Sequence, residues 1–128
     1  MSYHFSKTMN DDFDTAIEKV TGELKKEGFG VLTQIDVRDT LKKKLDVDFR
    51  RYKILGACNP HFAHEALLAE DTIGTMLPCN VIVQERDNGK VEVSAVDPVA
   101  SMIAIKNDML GDVAMQVREK LSRVIDNL

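Results

Sequence analysis

Apolar residues recur along the chain with two different periods, and each period predicts a type of element. Near both ends they recur every three to four residues, which is typical of a helix that buries one face. The stripes are Phe13, Ile17, Val20 and Leu24, and Val113, Val117, Leu121, Val124 and Leu128. They predict long helices over residues 11–27, capped by Asn10 or Asp11, and over residues 110–126. Gly28 supplies the left-handed stop for the first.

Between the long helices, short apolar or alternating runs predict strands. These runs are YHFSKT, VLTQID, YKILGAC, CNVIVQE and VEVSAV. The step Asn88–Gly89 favours a type I′ turn that joins the last two strands into a hairpin. The segment DVRDTLKKKLDVD predicts a short helix with Val37, Leu41 and Leu45 facing inward. The resulting order, β-α-β-(α)-β-(α)-β-β-α, indicates an α+β fold with helices on one face of a mostly antiparallel sheet.

Composition narrows the class of protein. A chain of 128 residues with 44% hydrophobic residues is expected to form one domain, residues 1–128. The formal net charge of -4 argues against a general nucleic-acid-binding surface. No apolar run is long enough for a membrane span, and no signal peptide is recognisable. Two cysteines in such a chain are expected to be reduced thiols, which predicts a cytoplasmic protein.

Four short motifs carry a resemblance to a known family. In chain order they are EGFGVL, GACNP, LPCNVIV and VDP. Together they strongly resemble the domain-of-unknown-function 302 family, over nearly the whole chain. The resemblance implies a fold like that of the TATA-binding protein, in a single copy with added helices, and assembly as a homodimer. It implies no particular activity, because a fold does not determine function.

The candidate site lies at two repeated steps, Cys58–Asn59 and Cys79–Asn80. If the strands that carry them are antiparallel neighbours, both thiols and both asparagines converge near the start of the intervening helix. Pro60 fits the first position of that helix, and Asn59 is expected to cap it. A helix N-terminus favours anions, so Cys58, Asn59, His61, Cys79 and Asn80 are the predicted ligand-binding residues.

Several interpretations of this site stay open. Cys58, His61, His64 and Cys79 are candidate metal ligands, although the C-x2-H-x2-H spacing is not a standard zinc pattern. Both cysteines also fit plain buried residues. Since no catalytic motif is present, we expect a non-catalytic binding or sensory module for a small anion or apolar metabolite, without a cofactor. The alternatives are a thiol- or metal-dependent redox protein or enzyme, and a structural or protein-interaction domain.

Overall fold

A computed structural model describes residues 2–128. Five strands and five α-helices form most of the structure, with one 3-10 helix at Asp71–Met76. The strands are β1 (His4–Met9), β2 (Gly30–Asp36), β3 (Tyr52–Cys58), β4 (Cys79–Glu85) and β5 (Val91–Val96). The helices are α1 (Phe13–Lys26), α2 (Val37–Leu45), α3 (Pro60–Ala69), α4 (Pro98–Ser101) and α5 (Asp108–Asp126). The α+β class predicted from the sequence is confirmed.

The five strands form one antiparallel sheet in the order β1-β5-β4-β3-β2. The pairing of β3 with β4 confirms the adjacency on which the candidate site depends. In its register Leu55 lies opposite Val81, and Ala57 lies opposite Cys79. Because side chains alternate along a strand, these four residues share one face of the sheet.

The core lies between that face and the two long helices. Both apolar stripes are buried there as expected, with Val20, Leu24, Leu121 and Val124 fully enclosed. Val81, Val83, Val93 and Ala95 cover the sheet side of the same core. The opposite face of the sheet, the open face, carries polar side chains such as Ser6, Ser94 and Gln84.

Three local predictions need correction. Helix α1 begins at Phe13 and not at Asp11, because the carboxylate of Asp12 accepts the N–H of Thr15 at 2.8 Å and forms the cap. Helix α2 forms but buries no residue completely, because Val37 and Leu41 are only half-buried and Leu45 is 66% exposed. The β4–β5 hairpin also forms, but its turn is not type I′ because only Gly89 adopts a positive φ.

No helix in the described part of the chain is long and apolar enough to cross a bilayer.

Candidate functional site

The candidate site forms where β3 ends and β4 begins. The chain leaves the sheet after Cys58, passes through α3 and the 3-10 helix, and returns at Cys79. Since Ala57 lies opposite Cys79, the two cysteines are adjacent in the register of neighbouring strands. The topology therefore places both thiols at one end of the sheet, beside the N-terminus of α3.

A cavity of about 350 Å³ opens at this end of the sheet, between α3, α5 and the ends of β3 and β4. Its walls are almost entirely apolar. They consist of Phe29, Leu32, Thr33, Ala57, Cys58, Asn59, Phe62, Ala63, Ala66, Leu67, Leu77, Pro78, Cys79, Pro98, Met102, Val113, Ala114 and Val117. None of these side chains carries a formal charge. A volume of this size is at the small end of the range for ligand-binding pockets, roughly 300–1,000 Å³.

Both thiols line this cavity, and both are free and half-buried. Burial, together with a smaller contribution from the nearby Cys58 thiol, raises the pKa of Cys79 from 9.0 to about 11. A thiol must ionise before it acts as a nucleophile or a metal ligand. Cys79 is therefore a neutral, weakly reactive apolar group at neutral pH, which suits a wall of the cavity better than a reaction centre.

Asn59 lines the cavity but does not cap α3 as the sequence predicted. Its side chain makes no capping hydrogen bond. The amide nitrogen instead donates to the backbone oxygen of Glu27 at 3.3 Å. This carbonyl lies just after α1, where Gly28 turns the chain with a φ of 87°. Asn59 thus ties the start of α3 to the end of α1 and fixes one wall of the cavity.

The remaining predicted site residues lie elsewhere. Asn80 is exposed and pairs with Gly56, which places it on the open face of the sheet, away from the cavity. His61 and His64 are exposed on α3, and neither lines the cavity. Of the two cysteines and two asparagines expected to converge, Cys58, Asn59 and Cys79 line the cavity and Asn80 does not.

The candidate metal ligands do not form a coordination site. Within residues 2–128, no group of three or more His, Cys, Asp or Glu side chains is arranged to hold a metal ion. The outward position of His61 and His64 explains this, because it leaves the two thiols without nitrogen ligands.

The sequence pattern did not predict much of the cavity wall, because these residues come from segments far along the chain from the two Cys-Asn steps. Met102, Val113, Ala114 and Val117 follow the second cysteine by more than twenty residues. The available signal was a set of small residues, Ala63, Ala66 and Ala114, at positions where two helices face each other. Alanine at such positions leaves space that a larger side chain would fill.

Comparisons with known proteins agree with the fold and extend over the whole chain. A solved structure matches 98% of this chain and 98% of its own length, with a TM-score of 0.91 and 28% sequence identity. It is the crystal structure of an uncharacterized conserved protein DUF302 from Bacillus stearothermophilus. No curated protein matches the sequence. The model of the family described as "Domain of unknown function DUF302" matches residues 5–128, and the chain belongs to that family.

Proposed function

We propose that this protein is a non-catalytic binding module that holds a small apolar molecule in the cavity beside Cys58 and Cys79. The observation that carries the proposal is the composition of the cavity wall. Its side chains are almost all aliphatic or aromatic, and none is charged. Transfer of an apolar molecule from water to such a wall is favourable, by roughly 25 cal/mol for each Å² of apolar surface removed from water.

The same wall argues against a small anion as the occupant. A desolvated anion needs charged or hydrogen-bonding partners. The amide nitrogen of Asn59 is already bonded to Glu27, and Pro60 has no N–H to offer. The redox alternative is also disfavoured, because the raised pKa of Cys79 keeps its thiol protonated at neutral pH.

A titration with 1-octanol tests this function. We expect saturable changes in the ¹H–¹⁵N NMR spectrum at residues that line the cavity, such as Ala66, Cys79 and Ala114. Ala63→Leu would occupy part of the cavity and should weaken binding by about tenfold or more, since a ligand and a side chain cannot fill the same space.

Leu68→Ala is the matched control, because Leu68 lies on the same helix, is 76% exposed and does not line the cavity. This variant should bind 1-octanol like the wild type. Changes that do not saturate, or equal affinity in the Ala63→Leu variant, would overturn the proposal.

A further inference from the structure

A second depression, with both polar and apolar side chains in its wall, lies on the open face of the sheet. Its volume is about 400 Å³. The register sets two continuous rows of side chains across this face and two shorter pairs at its end. The rows are Tyr52, Gln84, Glu92 and Thr8, and Ile54, Ile82, Ser94 and Ser6; the pairs are Gly56 with Asn80, and Val96 with His4. Two arginines, Arg50 before β3 and Arg86 after β4, border the depression.

Gln84 forms hydrogen bonds with both arginines. It is only 6% exposed, although it lies on the uncovered face. Its side-chain oxygen accepts Arg50 Nε at 2.9 Å and Arg86 Nη1 at 3.1 Å. Its amide nitrogen donates to Glu92 Oε1 at 3.3 Å. Because Glu92 can only accept, it fixes the amide orientation, and the oxygen of Gln84 must face the two guanidinium groups.

The two guanidinium groups have no carboxylate partner among residues 2–128. Arg51, Arg118 and Arg123 each form an ion pair within 4.0 Å, whereas Arg50 and Arg86 form none. Two like charges on one neutral oxygen repel each other, and each retains N–H donors that Gln84 does not use. An anion between them would remove the repulsion and accept those donors.

Two aromatic rings, in addition to Gln84, hold the guanidinium group of Arg50 in place. The guanidinium carbon of Arg50 lies 4.4 Å from the ring centroid of Phe49 and 5.5 Å from that of Tyr52. Stacking of this kind orients a guanidinium and leaves its edge free for planar, bidentate contacts with carboxylate or phosphate. Ile82 and Val96 supply an apolar floor beside the charged edge.

We propose that Arg50 and Arg86, joined by Gln84, form a binding site for the oxyanion group of a small organic carboxylate or phosphate ester. The charged group binds to the two guanidinium edges, and the organic part lies over Ile82 and Val96. This site is separate from the apolar cavity, with which it shares no lining residue. It therefore does not depend on the function proposed above.

Phenyl phosphate and benzoate are suitable probes, titrated at low ionic strength and followed by the side-chain amide signals of Gln84. We expect saturable binding of at least one probe, and the stronger one identifies the oxyanion class. Arg50→Gln and Arg86→Gln should each weaken binding by roughly tenfold, since each removes a charged hydrogen-bond donor. Arg38→Gln is the control, because Arg38 also has no ion pair within the described chain but lies outside the depression.

Two further variants should change the affinity for the probe in opposite directions. Gln84→Glu keeps the side-chain shape but gives both arginines a carboxylate, so it should abolish binding. Glu92→Gln removes the carboxylate nearest to the site and should strengthen binding several-fold. Thermal unfolding verifies that each variant is folded, and the surface arginine variants remain informative if Gln84→Glu is not.

Absence of saturable binding of either probe would overturn the proposal. So would equal losses in Arg38→Gln and Arg50→Gln, since the effect would then reflect overall charge. If Arg50→Gln and Arg86→Gln instead convert a dimer to a monomer, the arginines belong to a subunit interface and the proposal is wrong.

Discussion

The two sides of α5 differ in how they are packed. Toward α1 and the centre of the sheet, Leu121 and Val124 are fully enclosed with Val20 and Leu24. Toward α3, Ala114 and Val117 border a cavity of about 350 Å³. Protein interiors are normally packed as densely as organic crystals, and the side of α5 that faces the cavity departs from that density. One side of the helix belongs to the dense core, and the other borders the cavity in which we propose that a ligand binds.

The largest expected effect is a difference in stability between variants on the two sides of α5. Leu24→Ala removes a fully enclosed side chain from the dense core and should lower the free energy of unfolding by about 2–5 kcal/mol. Leu67→Ala removes the same atoms beside the cavity, where the leucine is already 44% exposed, and should cost about 1 kcal/mol or less. Urea unfolding of both variants measures the difference, and equal losses would contradict the division.

Gly56 tests how tightly the sheet approaches the cavity. A Cβ at Gly56 would collide with Thr33 Oγ1 and lie 2.8 Å from Pro78 Cγ. Both neighbours line the cavity, so Gly56→Ala should destabilise the protein by about 1–3 kcal/mol. Gly22→Ala is the matched control, because nothing lies within 4 Å of its Cβ position in α1, and it should raise stability by about 0.5–1 kcal/mol. A neutral Gly56→Ala would show that this wall is loose.

A substitution at Asn59 tests whether its side chain caps α3 or connects α3 to α1. Asn59→Asp would keep or improve a cap, because a carboxylate accepts N–H groups and favours a helix N-terminus. In the observed structure the side chain must donate to Glu27, which a carboxylate cannot do. We therefore expect Asn59→Asp to lower the free energy of unfolding by about 1 kcal/mol or more. Unchanged or higher stability in urea would support the cap.

The thiol of Cys79 gives a smaller effect that depends on pH. Its pKa rises on folding from 9.0 to about 11 because the folded protein buries it. Between these values the unfolded chain loses a proton that the folded chain keeps, so stability should fall as pH rises from 9 to 11. Ultraviolet thiolate absorbance in the Cys58→Ser variant measures the pKa directly, and a value at or below 9.0 would contradict the buried position.

The last prediction concerns self-association of the chain. The homodimer implied by the family resemblance stays a prediction. Exposed apolar side chains lie on the edge strand β2, where Leu32 is 70% exposed and Ile35 is also exposed. Light scattering should give twice the 14.3 kDa chain mass, and Ile35→Asp should reduce it. A monomer at all concentrations would contradict this prediction.

The elements that the sequence predicted well are those that depend on local or strongly periodic signals. Helices α1 and α5 have long apolar stripes with packing partners, and the β4–β5 hairpin depends on a nearby glycine. The stripe of α2 has the same period, yet it is only partly covered and Leu45 at its end is exposed. Periodicity indicates which face of a helix is apolar but not whether another element reaches that face.

The candidate site was predicted in part for the same reason. Antiparallel pairing alone brings Cys58 near Cys79. The bond from Asn59 to Glu27 joins residues 32 positions apart, so a capping rule that considers only the adjacent helix cannot anticipate it. Alternation along β4 places Asn80 on the face opposite to Cys79, which a repeated Cys-Asn step does not reveal. The cavity itself requires six elements to be in place, namely β2, β3, β4, α3, α4 and α5.

The most direct test of the cavity as a binding site is the small-molecule content of the protein purified from its own host. Wild type, Ala63→Leu and Leu68→Ala would be purified identically, unfolded in organic solvent and analysed by mass spectrometry. We expect one apolar compound to be enriched with the wild type and with Leu68→Ala, and lost from Ala63→Leu, whose added side chain fills the cavity. The same compounds at the same level in all three, or only ionic compounds, would contradict the account.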